Sequence, residues 1–318
     1  MTSPRFATYA KAVLGLNILV ILWGALVRAT GSGAGCGSHW PLCNGEVVPR
    51  AAGIETMIEL THRLTSGLAL VAVGLMAWWA FRIFPRGHRV RWAALASLAL
   101  IIVEALIGAG LVLLELVAEN ASLARGYWMV GHLINTFILI AALTLTAAWA
   151  AGMPRLELAG RQREVGMFAL GFVTLLLVGA TGAIAALGDT LFPAATLADG
   201  LRDSISADSH PLVRLRKLHP LIAIVSGALV AVIARGSAAR DARPVVRQLA
   251  STLLGLYVVQ LVLGALNVAL LAPVWMQLIH LLLANAVWVA LVLLAAMSLA
   301  ADRTADAPVG SVRAAVAA

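Results

Sequence analysis

Glu59, His62 and Arg63 fall within five residues of one another in IELTHRLTSG (58–67), at the threshold of one of the most apolar stretches of the chain. An imidazole can ligate a metal, a carboxylate can take up a proton and a guanidinium can hold an anion. Three further histidines, His132, His219 and His280, resemble His62 in position, because each stands at the beginning of an even-numbered apolar run. All four lie within about two turns of the run's start, so a rise of 1.5 Å per residue puts them at one depth. A single histidine there reads as a hydrogen-bonded structural residue, whereas four at one level, two per half, read as metal ligands. Two imidazoles from adjacent helices can grip a metal from opposite sides, and between apolar helices the guest that fits is haem. Its macrocycle would face Leu, Val and Phe, and its propionates need cations, which Arg28, Arg63, Arg214, Arg216 and Lys217 supply at that edge. A zinc or non-haem iron centre instead wants three or four ligands converging on one point.

The elements that must position these residues are membrane spans. Of 318 residues 61% are apolar and 12% charged, with a mean hydropathy of +0.94, which excludes a water-soluble globule. The net charge of +8 is spread over short segments between apolar runs, so it sets topology and does not form a nucleic-acid surface. Runs long enough to cross a hydrocarbon core of about 30 Å lie near 9–28, 62–81, 92–115, 127–151, 165–187, 213–235, 248–271 and 277–300. The first is long and lacks a small-residue cleavage site, so it reads as a retained span and not as a leader. Basic residues concentrate in 82–91, 155–163 and 235–247, which places those loops and both termini in the cytoplasm, and the loops 29–58 and 188–212 outside. The Ala-rich tail after about 302 is expected to be disordered.

The two halves echo each other at an offset of about 156 residues. THRLTSGLAL around His62 answers LHPLIAIVSGAL around His219, VEALIGAG with Glu104 answers VQLVLGAL with Gln260, and Gly24-Ala25 answers Gly179-Ala180. The expected fold is therefore all-α, a polytopic membrane protein of eight transmembrane helices in two pseudo-symmetric four-helix bundles, residues 1–153 and 154–318. The halves differ three residues before the first histidine, where Glu59 in one is answered by Arg216 in the other. Glu59 reads either as an i,i+4 partner of Arg63 or as a carboxylate that moves protons beside a metal centre. In the loop VRATGSGAGCGSHWPLCNG (27–45), Cys36 and Cys43 close a small ring, either a structural staple or an exposed, reversible thiol pair. His39, His88 and His210 read as solvated loop residues. Glu104 falls near the bilayer midplane, where it is expected to be protonated or bonded to another helix. Asn135, Gln260, Asn267 and Asn285 are expected to stitch helices, and Trp40, Trp128 and Trp275 to form an aromatic belt.

Taken together, LVRATGSG…HWPLCNG after the first span, ELTHR, GHLINT in the fourth span and the histidines of the sixth and eighth resemble the haem A synthase family over roughly residues 9 to 300. The resemblance implies an oxidoreductase of bacterial inner membranes or mitochondria that converts the C8 methyl of haem O to the formyl of haem A, the cytochrome oxidase cofactor. It implies that His62 and His132 flank the substrate haem O in residues 1–153, with Glu59 the catalytic carboxylate beside it. His219 and His280 would hold a resident haem b, and its iron, in residues 154–318. Cys36 and Cys43 would match the loop pair of one branch of the family, although 188–212 lacks the second pair found there. A haem O synthase, oxidase assembly proteins, the lipid bilayer and further copies of the chain are the partners this points to. The alternative is a di-haem b-type electron carrier that hydroxylates nothing.

Overall fold

Long uninterrupted runs of Leu, Ala, Val and Ile leave the backbone no partner but itself in lipid, and helix formation satisfies it. The computed structural model describes residues 2–50 and 52–301. The described residues fold into α1 (Pro4–Ala29), α2 (Ile54–Ile83), α3 (Arg89–Leu113), α4 (Leu123–Ala150), α5 (Gln162–Leu191), α6 (Leu197–Ile205), α7 (Pro211–Leu215), α8 (Leu218–Arg240), α9 (Pro244–Ala269) and α10 (Val274–Ser298). Eight helical stretches among them are long and apolar enough to span, with α7 and α8 together making the sixth. The tail after about 302 lies outside the described residues.

Two element boundaries differ from the sequence reading for local chemical reasons. The helix carrying His62 begins at Ile54, two turns earlier than the apolar run, because the polar residues of that extension find partners in the preceding loop. Thr56 donates its hydroxyl to Gly35 O, and Glu59 accepts the Cys36 N–H. The sixth span is broken at Arg216 and Lys217, just before Pro220. Proline has no N–H to offer the carbonyl four residues back, and the His219 N–H takes the Arg216 carbonyl in a tighter turn. The break leaves His219 in the first turn of α8.

In the first half α1 packs on α2 and α4, α2 on α3, and α3 on α4. In the second, α5 packs on α8, α8 on α9, and α10 on both α9 and α5. Between them, α4 meets α5 and α10 while α1 meets α10 and α5. The α4–α10 seam is built on aromatics: Phe137 and Trp288 lie 5.2 Å apart, Phe172 closes on Trp288 at 5.3 Å, and the Trp288 indole N–H donates to Phe137 O. Such ring pairs add about 0.5–1.5 kcal/mol each beyond the area they bury.

Trp128 differs in exposure from Trp40 and Trp275, the other two residues expected in an aromatic belt. Its half-buried ring lies on α3 at Gly110, where an added Cβ would sit 2.5 Å from the indole, whereas Trp40 and Trp275 are exposed. The missing side chain at Gly110 is what lets α3 and α4 approach there. Replacing Gly110 by valine is expected to lower stability by about 1–3 kcal/mol, as overpacking does, read as a lower thermal midpoint in detergent.

Candidate functional site

The second half brings two histidines together, the edge of one ring toward the other. His219 in α8 rests on Gly182 of α5, where a Cβ would stand 3.0 Å from its Cε1, and its Nδ1 lies 3.1 Å from Val178 O and 3.4 Å from the Thr181 hydroxyl. A carbonyl can only accept, so Nδ1 carries the proton and Nε2 keeps its lone pair. His280 in α10 rests in the same way on Gly264 of α9. The two ring centres are 6.3 Å apart and the planes stand at 82°. Two imidazoles on one metal, each at a nitrogen–metal distance of about 2.0–2.1 Å, have ring centres about 6 Å apart. The Gln260 amide lies 3.2 Å from His280 Nε2 and also donates to His280 O, while His280 Nδ1 is buried without a partner.

The first half repeats the plan with different chemistry. His62 in α2 lies against Gly24 of α1, whose Cβ would stand 2.9 Å from Cε1, and its buried Nδ1 has no partner. It is within electrostatic range of His132 on α4 and of Glu104 on α3. The glycine that stands to His219 as Gly24 stands to His62 is thus Gly182. Gly179, its sequence counterpart, faces Leu133 and Phe137 of α4.

Glu104 has a defined set of partners. An ionised carboxylate this deep costs at least about 2.5 kcal/mol on insertion scales, and three groups of α4 surround this one. Asn135 Nδ2 donates to Oε2, the Thr136 hydroxyl reaches Oε1, and His132 Nδ1 lies 3.3 Å from Oε1 without being aimed at it. Asn135 also bonds Leu100 O, and Gln260 joins α9 to α10, so these two amides stitch helices as expected. Asn267 and Asn285 do not: each keeps a buried Oδ1 without a partner, and the Asn285 amide bonds only Leu281 O of its own helix.

Glu59 is 3% exposed and committed on both oxygens. Oε2 accepts the Cys36 N–H at 2.8 Å, and Oε1 takes Arg63 Nε at 3.1 Å together with Nη2. Arg63 Nη1 goes on to the carbonyls of His39 and Leu42, so the ion pair clamps the first loop onto α2. Cys36 and Cys43 are joined in a disulfide buried against Leu60, not exposed, because the loop folds down over the start of α2. Burial removes the access that thiol exchange requires and favours the staple.

The cations gathered at this end have definite stations. Arg28 reaches from α1 to Ala186 O and Thr190 of α5 and to Gln277 of α10, bridging the halves. Arg216 pairs with Asp189 at 2.8 Å, while Arg214 and Lys217 are exposed. Arg125, one heptad before His132, was not singled out by sequence; it is 3% exposed, bonded to the carbonyls of Ala118 and Asn120, with a buried Nε lacking a partner. Its heptad spacing from His132 was the available signal. His39 is exposed as expected. His88 and His210 are helix caps that are only partly solvated: each Nδ1 accepts the N–H two residues on, and the rings stack on Phe84 and Phe192.

Comparison with known proteins now bears on this arrangement. Residues 7–292 match the family model described as cytochrome oxidase assembly protein. The chain is 51% identical over 296 residues to a Thermus thermophilus protein named protoheme IX farnesyltransferase, covering 93% of this chain and 48% of that one. It is 43% identical over 109 residues to the haem A synthase of Bacillus mycoides, 34% of this chain and 35% of that one, and 42% identical over 109 residues to that of Bacillus cereus. The chain thus spans about half the length, or less, of the curated relatives it matches. A helical chain of eight apolar spans, matched to that model over nearly its whole length, belongs to the cytochrome oxidase assembly family that includes the haem A synthases.

Proposed function

We propose that this protein is a haem A synthase, which oxidises the C8 methyl of haem O to a formyl group. The observation that carries the reading is the 6.3 Å separation of the His219 and His280 rings, which suits two imidazoles on a single iron. The glycines beneath three of the four rings also suit a planar guest between helices. On this reading His219 and His280 hold a resident haem b, and His62 and His132 hold the substrate. On the same reading the described residues of 1–153 and of 154–318 form one bundle each, related by a pseudo-twofold axis.

A methyl group becoming a formyl group loses four electrons and gains one oxygen atom; with water as the oxygen source, four protons are released. A resident haem supplies one-electron redox chemistry when bound. The rest is the work of this chain. His62 and His132 orient the substrate, and Glu59 takes a proton leaving the reacting carbon or the incoming water, its carboxylate released from Arg63 and the loop as it does so. Of the five cations proposed for propionates, Arg214 and Lys217 are exposed, whereas Arg28, Arg63 and Arg216 hold protein partners that they would have to exchange.

The name of the Thermus relative favours a second reading, farnesyl transfer to haem. That chemistry expels a diphosphate, which is ordinarily neutralised by divalent cations on grouped carboxylates. Here Glu59, Glu104 and Asp189 each face their own arginine, histidine or amide partners. The match covers about half of that relative, so on this reading its name is compatible with a transferase in the half that this chain does not match, and a haem O synthase is the partner proposed. A buried disulfide at the end opposite the basic loops fits an inner membrane with that end facing the oxidising side and both termini in the cytoplasm.

The test is to give the purified protein haem O with an electron acceptor, or haem b with farnesyl diphosphate, and to identify the pigments by mass. Haem A from the first mixture alone is the expected result. Haem O from the second would replace the proposal, and haem b bound with neither conversion would leave an electron carrier.

A further inference from the structure

Glu104 on α3 and Gln260 on α9 hold matching places in the two halves, and each meets the histidine of the next spanning helix. Only Glu104 has an ionisable side chain. Glu104 is held by Asn135 and by Thr136, whose hydroxyl also reaches His132 O, so α4 fixes the carboxylate beside the imidazole that the same helix carries. Gln260, by contrast, offers a neutral amide, and its Oε1 has no partner.

We infer that Glu104 is a positioning residue for His132: it receives the His132 Nδ1–H, directs Nε2 toward the substrate haem, and gives that imidazole a stronger donor character than His280 can have. The inference rests on the haem reading above. The present 3.3 Å approach becomes a hydrogen bond on a small turn of the ring. A ligand histidine whose second nitrogen donates to a carboxylate is oriented by it and is the more basic ligand. A more basic ligand favours ferric over ferrous iron. The first half is therefore the low-potential site and the second half the high-potential one, so that electrons taken from the substrate run downhill from the His62–His132 pair toward the His219–His280 pair.

The experiment is a spectroelectrochemical titration of the purified protein loaded with haem O, wild type beside Glu104→Gln and Asn135→Ala. In the wild type two components are expected. Glu104→Gln should raise the ferrous-to-ferric ratio of the lower component about tenfold at a fixed ambient potential, a shift of about 59 mV for one electron, and leave the upper component in place. Asn135→Ala, which frees the carboxylate without removing it, should shift the same component in the same direction by less. A Glu104→Gln protein with both haems at wild-type potentials overturns the inference, even if it makes less haem A. Where Glu104→Gln retains no haem in the first half, an unshifted lower component in Asn135→Ala overturns it. A wild type without haem fails differently, by removing the reading beneath it.

Discussion

Replacing His280 by leucine is expected to empty the second half of its haem and abolish haem A formation, while the first half still binds the substrate porphyrin. His219 alone cannot compensate. Its Nδ1 is occupied by Val178 O, leaving Nε2 as its one ligand atom, and the next imidazole within reach is the one removed. The leucine itself is tolerated by the fold, because the helices around the site are apolar and α10 is among the most buried spans. Pigment extraction should show about one haem fewer per chain, and the low-spin signal of a bis-imidazole iron should fall accordingly. An unchanged haem complement in His280→Leu would show that these two rings, although 6.3 Å apart, do not share a metal.

Glu59→Gln is expected to lower haem A output by about 10²–10⁴-fold, the usual range for losing a proton-transferring group, with both haems retained. The amide oxygen can still accept the Cys36 N–H, and Arg63 keeps the carbonyls of His39 and Leu42, so the loop stays down. What the substitution removes is a group able to take a proton. Anchoring is separable from chemistry by a second variant: Cys36→Ser with Cys43→Ser loosens the same loop without touching the carboxylate, and its output is expected within about tenfold of the parent. Turnover measured per bound haem O decides between the two roles. Near-normal output from Glu59→Gln would reduce Glu59 to the loop clamp that the Arg63 pair describes.

The spans were legible in the sequence because the bilayer sets their length and leaves the backbone no other partner. Their ends were less so. The Ile54–Thr61 extension of α2 is too polar to read as a span, and it becomes helix only because Thr56 and Glu59 are satisfied by a loop some twenty residues earlier. That the four histidines stand near the starts of even-numbered spans could be counted along the sequence. Which nitrogen faces which neighbour could not, since the register of α3 against α4 depends on packing such as Trp128 on Gly110. For the same reason the internal repeat aligned Glu104 with Gln260 but gave no hint that each lies at a histidine. Apolar helices slide past one another in an alignment at little penalty, which is how Gly179 came to stand for Gly182. His88 and His210 read as solvated because their stacking partners could not be seen in composition: Phe84 lies one turn before His88, and Phe192 lies at the end of α5, across α6 from His210.

Low-temperature electron paramagnetic resonance of the purified protein, before and after addition of haem O, tests the central claim most directly. The account predicts a bis-imidazole ferric signal as isolated, lost in His219→Leu and His280→Leu, and a second one appearing with haem O that is lost in His62→Leu and His132→Leu. A colourless protein that takes up no porphyrin, or a signal indifferent to all four replacements, would contradict it.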